Sequence, residues 1–221
     1  MNKFALILAY NRPSELEDLL GDIDGEVDYI LIIDNASEPP MHTLVNKEGF
    51  DTPITYLRDM TQPANLPRLW NIGFDQIKML ADETWKIAVL TDDVRVPAGW
   101  FVAVSDAMDR HGAAAGCSTP FPDRFTRDVV KRQPDRDLLQ RLFGPAFVIR
   151  GEAGLRANED LKWWWNDTDL DWKARGAGGM VIVPGYTVTN RYPNESTVGE
   201  LAIQAGRDRG AFKEAWGWLP W

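Results

Sequence analysis

The sequence predicts an α/β fold in which helices cover both faces of a mainly parallel central sheet. Three observations predict it. Seven apolar runs of strand length recur along the chain, segments of helical character fall between them, and polar residues gather directly after the first, second and fourth runs. Alternation of this kind is the pattern of a helix-covered parallel sheet.

The runs are FALILAY (4–10), YILII (29–33), ITYL (54–57), WKIAVL (85–90), AAAGCS (113–118), AFVIR (146–150) and MVIVP (180–184). After the first, Ser14 and Glu17 have capping-box spacing, and Leu16, Leu19, Leu20 and Ile23 repeat at i, i+3, i+4, i+7, which predicts a core-facing helix. Pro67 suits the first turn of a second helix, whose apolar positions Leu69, Trp70, Ile77 and Leu80 carry it to about Ala81. A third is expected between Pro97 and Gly112. Residues 120–141 hold Pro120, Pro122 and Pro134 with six basic and four acidic residues and no clean period. They read as a loop, either a solvated surface or a mobile lid. Asp167, Thr168 and Asp169 fit the start of a further helix that ends at Gly176 or Gly178.

A chain of 221 residues can bury a substantial core, and no repeat or linker divides it. The balance of 24 Lys+Arg against 33 Asp+Glu, net −9, gives no general attraction to nucleic acid or anionic membrane. A phosphate-bearing ligand therefore needs a local device such as a metal ion, backbone N–H groups or one or two Arg. The single Cys117 excludes an internal disulfide, and with two His it cannot complete a closed zinc site. Lys3 and the apolar run after it lack a small-residue cleavage site, so the run reads as a strand rather than a leader. No stretch approaches the ~20 apolar residues of a membrane span. A reducing, cytoplasmic setting is the expectation.

Ligands of an open parallel sheet bind beyond the carboxyl ends of its strands. Asn11 and Arg12, then Asp34, Asn35 and Ser37, then Asp92 and Asp93 occupy those positions and are expected to face one crevice. The chain has neither Gly-x-Gly-x-x-Gly after the first strand nor Gly-Lys-Ser/Thr anywhere, which speaks against nicotinamide and P-loop chemistry. In LTDDVRVPAGW (90–100) two adjacent carboxylates end an apolar strand. They can cap a turn, or one can take a hard cation such as Mg²⁺ or Mn²⁺ while the other meets a ribose. In NDTDLDWKARGAG (166–178) the acids can complement a helix dipole or supply a general base.

Together these segments resemble the family-two glycosyltransferases, of the Rossmann-like GT-A fold. The matching elements stand in family order over about residues 4–192: LAYNRP, IIDNAS, WNIGFDQI, LTDDVRVPAGW, GPAFVIR and NDTDLDWKARGAG. The resemblance implies one GT-A domain over 1–221, with 1–100 binding a nucleotide-sugar donor and 101–221 supplying base and acceptor surface. It implies that Tyr10, Asn11 and Arg12 line the base pocket, that Asp34 bonds base or ribose, and that Asn65, Arg68 and Asn71 approach the nucleotide, with Arg68 offsetting diphosphate charge. Asp92 would face the ribose, Asp93 would bind Mn²⁺ or Mg²⁺, and Asp167 would be the catalytic base of an inverting transfer, with Asp169 structural. Thr91 stands where the family motif has its first Asp, Asn166 where it has Glu, and Asn190 near the place of a metal-binding His. These departures imply weaker metal affinity.

Trp163, Trp164 and Trp165 either pack in the core or present a ring to the acceptor, and Trp216, Trp218 and Trp221 pose the same choice with a partner interface added. The acceptor expected is a glycan, protein or small molecule. A modified nucleic-acid base is the lesser alternative, suggested by Arg124, Arg127, Lys131, Arg132, Arg136 and Arg141 but interrupted by Asp123, Asp128, Asp135 and Asp137. A catalytically weak or inactive sugar- or nucleotide-binding module of the same fold is the alternative function. The N-glycosylation sequons at Asn166 and Asn194 read as incidental.

Overall fold

Strands from both halves of the chain join in one eight-stranded sheet. The computed structural model describes residues 2–45, 49–119, 121, 124–137, 139–191 and 199–220. In chain order the elements are β1 (Asn2–Ala9), α1 (Pro13–Ile23), β2 (Tyr29–Asp34), α2 (His42–Val45), β3 (Ile54–Arg58), α3 (Leu66–Leu80), β4 (Trp85–Thr91), β5 (Val94–Arg95), α4 (Trp100–His111), β6 (Ala115–Ser118), β7 (Val129–Lys131), β8 (Ala146–Arg150), α5 (Asn166–Gly176), β9 (Met180–Val183), β10 (Thr189–Asn190) and α6 (Gly199–Trp216). Each of the seven apolar runs supplies one strand of the sheet.

The sheet order is β3-β2-β1-β4-β8-β6-β9-β7. The first four strands are mutually parallel, as are β6 and β9, whereas β8 runs antiparallel between β4 and β6, and β7 antiparallel along β9. The mainly parallel character is thus concentrated in the first half. Ala9 lies level with Asp34 of β2, and Leu8 level with Thr91 of β4, so three strands end side by side. Because β1 is followed by β2 on one side and, after β3, by β4 on the other, the strand order reverses at β1. Such a reversal opens a crevice where helices diverge.

Side chains alternate between two cores, as strand geometry requires. Ile7, Ile32, Leu90 and Val148 pack with α1 and α4, while Leu6, Ile33, Val89 and Phe147 pack with α3 and α5 on the opposite face. Gly73 is what lets α3 approach: a Cβ there would run into the Leu6 side chain. A third, smaller cluster joins Leu161, Trp165, Trp172 and Phe212, with Trp164, Trp216 and Trp218 against it. The tail tryptophans Trp216 and Trp218 therefore take the packing alternative.

Two expectations change and two elements have no counterpart in the sequence pattern. Helix α1 begins at Pro13, with Arg12 as a cap residue that makes no side-chain capping bond, and the Ser14 hydroxyl bonds Glu15 at 2.8 Å instead of closing a box with Glu17. Proline's fixed φ starts the helix two residues earlier than a Ser14 cap implies. The 120–141 segment is not wholly loop: Val129–Lys131 forms the edge strand β7, chosen by its long-range partner β9 rather than by local pattern. The two-residue strands β5 and β10 pair into a small antiparallel ribbon too short to leave a periodic trace. Helix α6 was not anticipated because among its described side chains only Asp208 and Phe212 are buried. Pro120, Pro122, Asp123, the Asn194-Glu195-Ser196 sequon and Trp221 lie outside the described residues.

Two buried cations tie the layers together. Lys86, fully buried on β4, donates to the Ser105 carbonyl at 2.9 Å and the Asp109 carboxylate at 2.7 Å, linking sheet to α4. Arg175 of α5 donates to Asp171 at 2.7 and 3.1 Å and to the carbonyls of Gln133 and Gln140 at 3.0 and 2.8 Å, clamping the charged segment. Burial is the main influence on Asp171 and pushes its carboxyl up to about 6 despite Arg175. Removing one partner of such a pair leaves an uncompensated buried charge. Arg175→Met is accordingly expected to lower unfolding free energy by about 3–5 kcal/mol in urea titrations. A loss below about 1 kcal/mol would show that the pair is dispensable.

Candidate active site

The crevice begins at the exit of β1. Asn11 has φ 54°, in the left-handed region that Asn tolerates better than most residues. From there its backbone N–H donates to Ser37 Oγ at 2.9 Å, and its side-chain oxygen accepts from the Glu38 N–H at 2.8 Å. The ends of β1 and β2 are thereby stitched together. Asp34 is fully buried and accepts from the backbone N–H groups of Ser37 at 2.9 Å and Met41 at 3.3 Å and from the Tyr56 hydroxyl. Burial pushes its carboxyl up, but the bonds from Ser37, Tyr56 and Met41 outweigh it and hold the group below the usual carboxylate range. Asp34 thus shapes the loop after β2. Its neighbour Asn35 is buried, and its side-chain oxygen has no hydrogen-bond partner among the described residues, which makes it an acceptor suited to a ligand N–H. Tyr10 is 53% exposed at the lip, a face on which a flat base could rest.

Asp92 and Asp93 follow β4 and are both buried. Asp92 accepts from the Tyr10 N–H at 2.7 Å and from Arg12 at 3.2 Å, and Asp93 accepts from the Thr91 hydroxyl at 2.7 Å and pairs with Arg12 at 3.1 Å. One guanidinium nitrogen of Arg12 therefore bridges both carboxylates. Thr91 thereby orients Asp93. Burial is the largest influence on Asp92 and pushes its carboxyl up to about 6, the Tyr10 N–H and Arg12 pull it down, and Asp93 pushes it up again.

The ribbon β5–β10 brings Asn190 opposite Val94, one residue beyond Asp93, and the Arg191 N–H donates to the Asp93 carbonyl at 3.0 Å. Among the described residues no group of three or more His, Cys, Asp or Glu is arranged to hold a metal ion. The oxygens of Asp92, Asp93 and Asn190 are of the type that Mg²⁺ or Mn²⁺ takes. Arg12 lies between the two acids, so this set fits a shared cation only with Arg12 turned away.

Asp167 enters from the other half of the sheet. It is the second residue of α5, half-buried, and its carboxylate accepts from the Thr168 N–H at 2.8 Å and stands 4.0 Å from Arg141. A Cβ on Gly144 would lie 2.7 Å from the Asp167 carboxylate, so glycine there makes room for it. The adjoining Pro145 carbonyl accepts the Thr91 N–H at 3.0 Å. The corner Gly144-Pro145 hence touches Asp167 on one side and the Asp92–Asp93 loop on the other. Sequence reasoning missed its role, although a Gly-Pro pair opening a strand was a visible signal. A cavity of about 310 Å³ is lined by Thr119, Phe121, Leu139, Phe143 and Ile182, among others, and by Arg141, the residue that stands 4.0 Å from Asp167.

Other expected ligand residues are engaged within the protein. Asn65 caps α3 by accepting from the Arg68 N–H at 3.1 Å, and Arg68 pairs with Asp59. Asn71 clasps the backbone of Ala157 at both its N–H and its carbonyl, each at 3.0 Å. Asp169 is buried and pairs with Lys173 and the Trp216 indole, in keeping with its structural reading. Trp165, with φ 69°, is buried against Phe212, Trp164 packs on the same cluster, and Trp163 is half-buried outside it. The backbone N–H groups of Lys162, Trp163 and Trp164 all donate to Asp208 of α6, a positioning group with no sequence signature. Of the basic residues that suggest a nucleic-acid track, Arg124 lies over Phe121, Arg132 bonds two carbonyls, Lys131 pairs with Asp135 and Arg136 lies over Trp218. Asn166 is buried, which suits the incidental reading of its sequon.

No family model and no curated protein sequence matches the chain. Solved structures do. TarS from S. aureus superposes with a TM-score of 0.66 at 12% identity over 97% of this chain and 42% of that one. Residues 1–349 of TarS match at TM-score 0.64 and 12% identity both in complex with UDP-GlcNAc, over 96% of this chain and 71% of that one, and in complex with UDP, over 84% and 60%. The chain thus spans less than half of the longer TarS chain. At this identity the likeness establishes the fold, which is the GT-A type expected from the motifs.

An acid whose folded-state pKa lies above its unfolded value of 3.8 favours the folded protein when protonated; for Asp92 that contribution is full below pH 3.8 and is lost as pH rises through about 6. Asparagine mimics the protonated acid at every pH. The stability of Asp92→Asn relative to wild type is therefore expected to rise by roughly 3 kcal/mol between about pH 4 and pH 7. Urea titrations at the two values measure it, and a pH-independent gap would mean that Asp92 titrates as an ordinary surface acid.

Proposed function

We propose that the chain is an inverting glycosyltransferase that moves a sugar from a nucleoside-diphosphate donor, with uridine the first base to try, to an acceptor hydroxyl. The observation that carries this reading is the Gly144-Pro145 corner, which lies against the half-buried carboxylate of Asp167 and is bonded to Thr91, the residue directly before the buried pair Asp92–Asp93. The crystallised UDP and UDP-GlcNAc complexes of TarS, on the same fold, support the donor class.

In this reading residues 1–100 hold the donor. Tyr10 and the unpartnered oxygen of Asn35 receive the base, and Asp92 the ribose. Asp92, Asp93 and Asn190 are the residues that would hold Mn²⁺ or Mg²⁺, which when bound supplies positive charge against the departing diphosphate. Residues 101–221 supply the base and the acceptor surface, with Trp163 and the cavity beside Arg141 at hand. Asp167 removes the proton of the acceptor hydroxyl as its oxygen attacks C1 from the face opposite the leaving group. The C1–oxygen bond to the diphosphate breaks, and the diphosphate leaves with the electron pair.

A positioned general base contributes a factor of ~10² to 10⁴. Asp167→Asn is expected to keep UDP-induced thermal stabilisation while losing at least about tenfold in transfer rate, the conservative edge of that range. Turnover near wild type would remove Asp167 from the role, and donor binding without Asp167-dependent turnover would favour a binding module. Gly144→Ala tests the geometry separately: the added methyl displaces the Asp167 carboxylate, so transfer should fall while UDP binding stays. Unchanged transfer would mean that the base acts from another place.

A further inference from the structure

We propose that Arg12 and a divalent cation are mutually exclusive occupants of the Asp92–Asp93 pair, so that Arg12 is this chain's own antagonist of metal binding. The inference deepens the reading above, since it concerns the residues assigned there to the cation. Three observations carry it. The same Arg12 nitrogen lies 3.2 Å from Asp92 and 3.1 Å from Asp93, between the acids where a shared cation would sit. The other carboxylate oxygens accept from the Tyr10 N–H and the Thr91 hydroxyl, each at 2.7 Å, so both acids stay fixed in place while Arg12 holds the space between them. Arg12 itself is at the open side: its side chain is 33% exposed against 4% and 8% for its two partners, so it can turn outward while they stay.

Two buried carboxylates side by side repel, and some positive charge must offset them. A guanidinium does so without any ion, which keeps the loop formed at low metal concentration. The same bond must be broken before a cation can enter, and this lowers the apparent metal affinity by whatever the Arg12 contacts contribute. Hydrogen bonds to charged groups are strong enough to make that at least about tenfold. Thr91 and Asn190 bring neutral oxygens rather than a carboxylate or an imidazole to this end of the sheet, so they do little to tip the competition toward metal.

The test uses Mn²⁺ alone, followed by loss of the free-ion electron paramagnetic resonance signal, with neither nucleotide nor acceptor present. Arg12→Gln is expected to tighten Mn²⁺ binding at least about tenfold over wild type. Adding Asp93→Asn to that variant should abolish the gain, and Arg12→Lys, which keeps the charge, should stay closest to wild type. Equal affinity in wild type and a folded Arg12→Gln overturns the proposal. Should the uncharged variant fail to fold, wild-type crystals soaked in Mn²⁺ decide. An ion on Asp93 with Arg12 turned away, or Arg12 bridging with no ion, supports exclusion, whereas an ion on Asp93 beside an Arg12 that still bridges both acids overturns it. Because no transfer is measured, loss of the glycosyltransferase reading and loss of this one are told apart.

Discussion

Two carboxylates at the end of β4 share a space with little water, and the conformation of the whole crevice follows from how their charge is offset. Arg12 reaches back from the start of α1 to lie against both, and the Tyr10 N–H turns to the inner one. Those contacts fix the path of the chain between β1 and α1, which in turn places Asn11 to join the loop after β2. The burial that raises Asp92 is a standing source of instability near neutral pH.

The second constraint is mechanical. Strand β8 runs antiparallel to β4 and starts at the level where β4 ends, so the corner before it lies beside the acidic loop. Gly144 removes bulk at that corner and Pro145 offers a carbonyl to Thr91, and between them the two halves of the sheet meet without any direct contact of their acids. A parallel strand at this position would have needed a crossover and would have delivered its start to the far edge.

Most of the fold could be read in the sequence because its strands are buried and apolar and its helices α1, α3 and α4 carry a clear period. What could not be read depended on distant partners. Val129–Lys131 becomes a strand only because β9 offers an edge, and the ribbon of Val94–Arg95 with Thr189–Asn190 is too short to have a pattern. In the site, the strand-end rule found Asn11, Arg12, Asp34, Asn35, Asp92 and Asp93 from order alone, yet it could not tell which would face a ligand. Asp34 turned inward to three protein donors while Asn35 kept an unsatisfied oxygen, a difference set by side-chain packing after β2. Asn65 and Asn71 carry the right chemistry for a ligand but spend it on a helix cap and on Ala157. Local pattern specifies residue type and spacing; burial decides which polar groups remain available.

The carboxylate of Asp208 accepts three consecutive backbone N–H groups just ahead of α5, an arrangement resembling an anion held in a cradle of amides. Here the anion belongs to the protein itself. Helix α6 thus acts as a template for the turn that leads into Asp167, and the two regions should open and close as one cooperative unit in hydrogen exchange. A helix that buries little of its own surface can in this way determine the shape of a loop in a distant part of the sequence.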